Sequence, residues 1–503
     1  RISFVSGKDV AINADDKGDA VAPYDGKTGE ISVGKSTTTG RDFRAQGRLQ
    51  YVGKRYLRFE GSGKYFLKAG ADAPEVMLGY TDFDNTIQHK PSVKLLTWEP
   101  HIKDWKAGDP TWKDGKGKGL IGALNYLADS GMNVFSFLTY NAGGDGDNVW
   151  PYVDRDDHQH FDCSKLGQWD IVFRHAQDLG LLMQIKLQET ENDHKGPTAL
   201  DAGNLGVERK LYLRELIARF GYNLSIVWNL GEENTQTPAQ QTAMCNYIRD
   251  NDAYQHPRVI HTYPERQDKE FGDLTGDKST LTGASLQNGW DVVHQRTLKW
   301  VNDSQAAGRP WVVANDEQNP ASGGVPTDPG YEGSDGIIKD GNKTYTLNDI
   351  RKYTLWGNLM AGGAGVDYYF GYKEPQSDLN CNDFRSRALS WKYANIALNF
   401  FQDQHIPFWQ MNNTDALVGN SANDNSKYCF SQAGQIYVVY LPNGGSTTLD
   451  LSNDKKSYSV RWFNPREGGA LSTGSVKSIA GGSVVSLGNP PQDDGSDWVV
   501  VVR

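Results

Sequence analysis

MNVFSFLTY (132–140), KLGQWDIVFRHAQDLG (165–180) and LLMQIKL (181–187) follow one another closely, and this stretch decides the fold. The outer two are short apolar runs. The middle one is amphipathic and ends at Gly180, a residue suited to closing a helix. Strand, helix and strand in that order form a parallel βαβ unit.

The same alternation recurs from about residue 56 to 403. On the N-terminal side lies KYFLKAG (64–70), with GLIGALNYLADSG (119–131) after a long excursion. On the C-terminal side the strands are LSIVWNL (224–230), RVIHTY (258–263), TGASLQ (282–287), PWVVAND (310–316) and GVDYYF (365–370). Helical segments such as VERKLYLRELIARFG (207–221) and FRSRALSWKYANIALNFFQ (384–402) separate or follow them. Eight strands with crossovers predict an α/β fold, a (β/α)8 TIM barrel with expanded loops. A doubly wound sheet would need fewer strands and a Gly-rich phosphate turn after the first. GGDGDN (143–148) follows the second strand and opens no helix. Beyond residue 404, runs such as QIYVVYL and DWVVVV alternate between turn signals and predict a C-terminal antiparallel β-sandwich (404–503). Residues 1–55 read as a small N-terminal β segment, with ISFVSG, VAPYDG and EISVG as its short runs.

A net charge of −10 argues against nucleic acid as a partner and suits a carbohydrate substrate. The 14 Trp and 24 Tyr fit sugar stacking, although most such rings are core. Cys163, Cys245, Cys381 and Cys429 match no zinc spacing and are expected as free thiols, with at most one opportunistic disulfide. No apolar run approaches a membrane span. No cofactor is expected; Asp145, Asp147 and Asn148 of GGDGDN offer a structural Ca2+ only as the weaker reading, because the closing Glu of a calcium loop is absent.

Barrel chemistry sits at the C-terminal ends of strands. WNLGEEN puts Glu232 and Glu233 there on strand four; VVANDEQN puts Asp316 and Glu317 there on strand seven, across the mouth. Glycosidic cleavage needs such a carboxyl pair. Side chains alternate along a strand, so one of each doublet is expected to face the cleft. Candidate subsites are Trp98, His101, Asn141, Trp150, Glu189, His261, Tyr263, Gln287, Trp290 and Tyr369, with Trp105, Trp112, Glu191, His194, Asn288 and Asp367 nearby.

Trp228 and Asn229 leading into Glu, with Glu317 ending strand seven, resemble clan A glycoside hydrolases. That resemblance implies a retaining mechanism on β-glycosidic bonds, a strand-four acid/base and a strand-seven nucleophile. It favours Glu233 and Glu317, because Glu232 then stands where the clan has Asn; Glu232 and Asp316 remain the neighbouring candidates. More narrowly, TWEPHIKDWKAGDPTW (97–112), GKGKGLIGALNYLADSGMN (115–133), GGDGDNVWPY (143–152) and SDLNCNDFRSR (377–387) resemble a group of exported bacterial proteins. Those carry an N-terminal β-sandwich and a C-terminal module labelled collagen-binding by similarity. The resemblance implies a secreted, periplasmic or cell-surface O-glycosyl hydrolase with part of its N-terminal sandwich missing; the expected substrate is a plant or algal polysaccharide or oligosaccharide. The competing expectation is a non-catalytic carbohydrate- or matrix-binding protein on a barrel scaffold. A peptidase is disfavoured, since neither HExxH nor GxSxG occurs.

Overall fold

The apolar runs fold as eight parallel strands closed into a barrel, seen in a computed structural model that describes residues 1–12, 18–32, 34 and 36–503. Residues 13–17, 33 and 35 of the expected N-terminal β segment lie outside the described residues. The strands are β1 (Lys68–Ala71), β2 (Val134–Leu138), β3 (Leu182–Lys186), β4 (Ile226–Asn229), β5 (Arg258–Thr262), β6 (Gly283–Gly289), β7 (Val312–Asn319) and β8 (Gly365–Tyr368). They pair in sequence order, β8 closing on β1. β1 and β2 approach so closely at Gly70 that a Cβ there would meet the Val134 carbonyl at 1.8 Å, which requires glycine.

The first strand starts later than the apolar run KYFLKAG suggests. Phe66 N donates to Leu57 O (3.0 Å), so residues 64–67 continue a small floor rather than the barrel wall. Phe43, Leu49, Leu57 and Phe59 form that floor, packed on Val134, Leu182, Val227 and Val259 at or near the strand starts. The bottom is thereby closed, and access runs through the opposite end.

After β8 the helix Ala388–Asp403 leads into an antiparallel sheet. Its strands are β9 (Asn412–Asn413), β10 (Tyr428–Gln432), β11 (Ile436–Leu441), β12 (Ser457–Phe463), β13 (Ser478–Ala480) and β14 (Trp498–Val502). They lie in the order β9-β10-β11-β14-β12-β13. A ribbon of Thr448–Asp450 and Val484–Ser486 supplies Leu449 and Val485 to one face of this sheet, with Val439, Val460 and Val500. The other face, with Phe430, Val438, Tyr440, Val499 and Val501, joins the barrel core. Trp356 stacks on Tyr440 there at 5.0 Å. Strand β14 is therefore apolar on both sides, as a strand buried on both faces must be.

The junction also buries polar contacts. Arg351 grips Asp497 at 2.8 and 3.0 Å, and Tyr440 donates to the same carboxylate at 2.6 Å. His294 Nε2 meets Asp415 at 2.7 Å. All four cysteines are free, Cys163 exposed and the others buried. Among the described residues no helix is long and apolar enough to cross a membrane.

Candidate active site

The barrel interior carries two polar layers. In the lower one, Lys68 pairs with Asp316 (2.7 Å) and Asp367 (2.8 Å), while Gln184 donates to Asp316 (3.0 Å) and Ser136 to Asp367 (3.1 Å). In the upper one, at the mouth, Lys186 meets Asp72 (3.1 Å), Glu232 (2.5 Å) and Glu75. Burial opposes charge throughout these layers, and each lysine offsets that cost only by its neighbours. Burial pushes Asp72 and Asp367 up to about 7 even so.

Two backbone irregularities bring the acids together. On β7 the register against β6 shifts, so that Leu286 faces Asn315 but Gln287 faces Glu317. The extra residue, Asp316, makes a β-bulge, and two successive side chains turn inward. Asp316 drops into the lower layer and Glu317 stays at the rim. On the β4 side, Leu230 N donates to Val259 O (3.0 Å) and Asn234 N to His261 O (2.9 Å). The four-residue step from Leu230 to Asn234, just past β4, thus matches a two-residue step on β5, so two extra residues bulge out at the Glu232–Glu233 turn. Glu233 sits there with φ +45°, a left-handed conformation that side chains adopt only at a cost. Both glutamates reach the mouth, again against simple alternation.

The Gln287 amide joins the two sides, donating 2.8 Å to Glu233 Oε1 and 2.6 Å to Glu317 Oε1. The sum of these lengths caps the distance between the two oxygens at 5.4 Å. Glu233 is half-buried, and burial with the nearby Glu317 and Glu232 charges raises it to about 8. Burial also lifts Glu317 well above the ordinary range; the Glu232 charge adds to this and Lys186 opposes it. Glu232 goes the other way. Burial works against its charge, but His261, Lys186 and a hydrogen bond from Glu75 bring it down to about 2. His261 Nε2 lies 3.2 Å from Glu317 and 3.4 Å from Glu232. The Tyr263 hydroxyl sits beside Glu233, which raises it after burial has done the larger part.

Glu233, Glu317, Glu232, His261, Tyr263 and Gln287 therefore meet at one place. Tyr369 borders it, its hydroxyl pushed up by burial and by Asp378, Glu317 and Glu75. Glu189 lies in the adjoining wall, accepting from Asp145 N at 3.0 Å, so close to the chain that a Cβ on Gly144 would strike it.

Four other candidates are structural. Trp98 is fully buried against Phe384, and His101 is held by Asp104 (2.8 Å) and Phe384 N (3.0 Å). Asn141 accepts from Asn148 N and Val149 N (3.0 and 2.7 Å) to shape the β2 loop. Trp150 is buried under Lys165. Trp290 is partly buried and packs on Tyr345 and Tyr353 beside the β7 end. These positions correct the expectation that the excursion after β1 presents Trp98 and His101 to a sugar. In GGDGDN, Asp147 is engaged by Arg155 (2.8 Å), His89 (2.6 Å) and Gly143 N (2.8 Å), and Asp145 by Tyr372 (2.9 Å).

Sequence reading passed over Lys68, Lys186, Glu75 and Asp378. A lysine within the apolar runs KYFLKAG and LLMQIKL was the available signal, because an interior strand carries one only with anions facing it.

Comparison with known proteins agrees with this architecture. Residues 151–374 match the family model "Apiosidase-like, catalytic domain", and residues 414–503 match "Putative collagen-binding domain of a collagenase". A solved glycoside hydrolase is similar over 91% of this chain and 97% of its own, at 14% identity and TM-score 0.61. A glycoside hydrolase family 5 protein from Bacteroides vulgatus ATCC 8482 is similar over 91% of this chain and 93% of its own, at 15% identity and TM-score 0.63. No curated protein matches the sequence. The chain thus has a glycoside-hydrolase-like barrel with an apiosidase-like central region and a C-terminal collagen-binding-like module.

Proposed function

We propose that this chain is a secreted, retaining O-glycosyl hydrolase in which Glu233 is the acid/base and Glu317 the nucleophile. The observation that carries the reading is the single Gln287 amide shared by carboxylates from β4 and β7, which holds their nearest oxygens within 5.4 Å. A separation of about 5–5.5 Å suits direct attack by one carboxylate, whereas inversion needs about 6.5–9.5 Å to admit a water. In the first step Glu317 attacks the anomeric carbon while Glu233 gives its proton to the departing oxygen. In the second, Glu233 takes a proton from water as that water displaces Glu317. Glu233 is protonated near neutrality, as the acid must be, while Glu232 is held ionised against Lys186 and cannot supply that proton.

The apiosidase-like match supports a substrate that carries apiose or a similar sugar, and a plant or algal polysaccharide or oligosaccharide is the class we propose. The match at residues 414–503 supports a role at an extracellular surface. Glu233→Gln and Glu317→Gln should each lower turnover by roughly 10³-fold or more. Proton NMR of the first-formed product should show the substrate's anomeric configuration. Inverted product, or full turnover in both variants, would overturn the reading.

A further inference from the structure

At the mouth, Glu232, His261 and Glu317 each have one atom engaged by a neighbour and a second turned toward the other two. Glu232 Oε2 is held by Lys186 at 2.5 Å, His261 Nδ1 by Ser285 Oγ at 3.2 Å, and Glu317 Oε1 by Gln287 at 2.6 Å. Their remaining atoms converge: His261 Nε2 lies 3.4 Å from Glu232 Oε1 and 3.2 Å from Glu317 Oε2. All three donors lie within 4.8 Å of one another. His261 is fully buried, and its Nε2 has no hydrogen-bond partner although it points into this gap.

A Zn2+ ion bonded at about 2.0–2.1 Å in a tetrahedron spaces its ligand atoms about 3.3–3.4 Å apart. The two separations from His261 match that edge. The tied atoms supply what a metal site needs behind its ligands, since a ligating histidine donates its other ring N–H and a ligating carboxylate is itself hydrogen-bonded. One imidazole and two carboxylates suit a borderline first-row cation; Ca2+ and Mg2+ prefer all-oxygen shells of higher coordination.

We infer that Glu232, His261 and Glu317 form a binding site for one Zn2+-class divalent cation, and that occupancy blocks turnover by capturing Glu317. Binding stands on the donor geometry alone. Only the inhibition rests on the proposed role of Glu317, so the two can fail separately.

The test is Zn2+ titration of the chelator-treated full chain by calorimetry, with turnover followed in parallel. One ion per chain should bind at micromolar concentration, and activity should fall with the same midpoint and return on adding EDTA. Ca2+ and Mg2+ should do neither. His261→Gln and Glu232→Gln should weaken binding at least about tenfold, and Ser285→Ala, behind the histidine, by about tenfold. Cys163→Ser should leave binding and activity unchanged. Co2+ bound to the unaltered chain gives a readout independent of how the variants fold: visible bands without a thiolate charge-transfer band support an oxygen–nitrogen site. Absence of saturable Zn2+ binding, binding indifferent to both ligand variants, or a thiolate band would overturn the site. Binding without inhibition would keep the site and count against Glu317 as nucleophile.

Discussion

Gln287 shows how one neutral side chain couples two acids. Its amide donates to both Glu233 and Glu317 and brings no charge of its own, so it joins the two carboxyls without neutralising either. Two such carboxyls release their protons in separate steps that belong to the pair. Both groups are raised, Glu233 to about 8. The proposed double displacement uses the pair carrying a single proton, with that proton on Glu233, which is lost as pH rises through about 8. The expected pH profile of kcat/KM is a bell: activity grows as the pair loses its first proton, then falls as pH rises through about 8 and the acid is lost. In Glu233→Gln the alkaline limb should vanish from whatever activity remains. A wild-type profile already falling between pH 5 and 6 would contradict the assignment.

At the scale of the element, the site depends on strand irregularities more than on the strands. Asn234 closes the Glu232–Glu233 turn. Its side chain accepts from Gln241 (2.9 Å) and Gln236 N (3.0 Å) and donates to Leu230 O (3.3 Å). Asn234→Ala should let Glu233 wander, lowering kcat about 10²-fold with little change in KM, since small misplacements of a reacting group are costly. Stopped-assay kinetics beside a thermal melt would separate this from unfolding; unchanged kcat would show that the turn holds itself. The eight strands were legible because each is an apolar run of fitting length between turn signals. The acidic doublets were legible because they end β4 and β7. The irregularities were not: Asp316 as an extra residue leaves no mark in VVANDEQN, and pairing with Gln287 is a property of two strands together. Trp98 and His101 misled for a related reason, since a residue next to a cleft in sequence can still turn its ring inward, as Trp98 does with φ +52°.

Across the whole molecule, barrel and sheet share one core, and the junction's specificity lies in its buried charges. Arg351 and Asp497 are almost wholly enclosed, and Asp497 comes from the sheet module. Arg351→Met would leave that carboxylate buried with only the Tyr440 hydroxyl, and should destabilise the chain by roughly 3 kcal/mol in urea unfolding. Activity at low temperature should persist, because the pair lies away from the mouth. A loss below about 1 kcal/mol would mean that water or a shifted neighbour replaces the guanidinium. The position of β14 has a further consequence, for synthesis rather than for stability. This strand, Trp498–Val502, lies between β11 and β12 at the middle of its sheet, yet it is made after both. The barrel helices can assemble while the ribosome is still adding the hundred or so residues that lead from the barrel to the end of β14. At about 5–20 residues per second, the barrel's apolar flank then waits roughly 5–20 seconds for its cover. The nascent chain passes through an interval in which its largest folded part is complete and its stickiest face is bare, and a chaperone meeting it there would be meeting the native barrel.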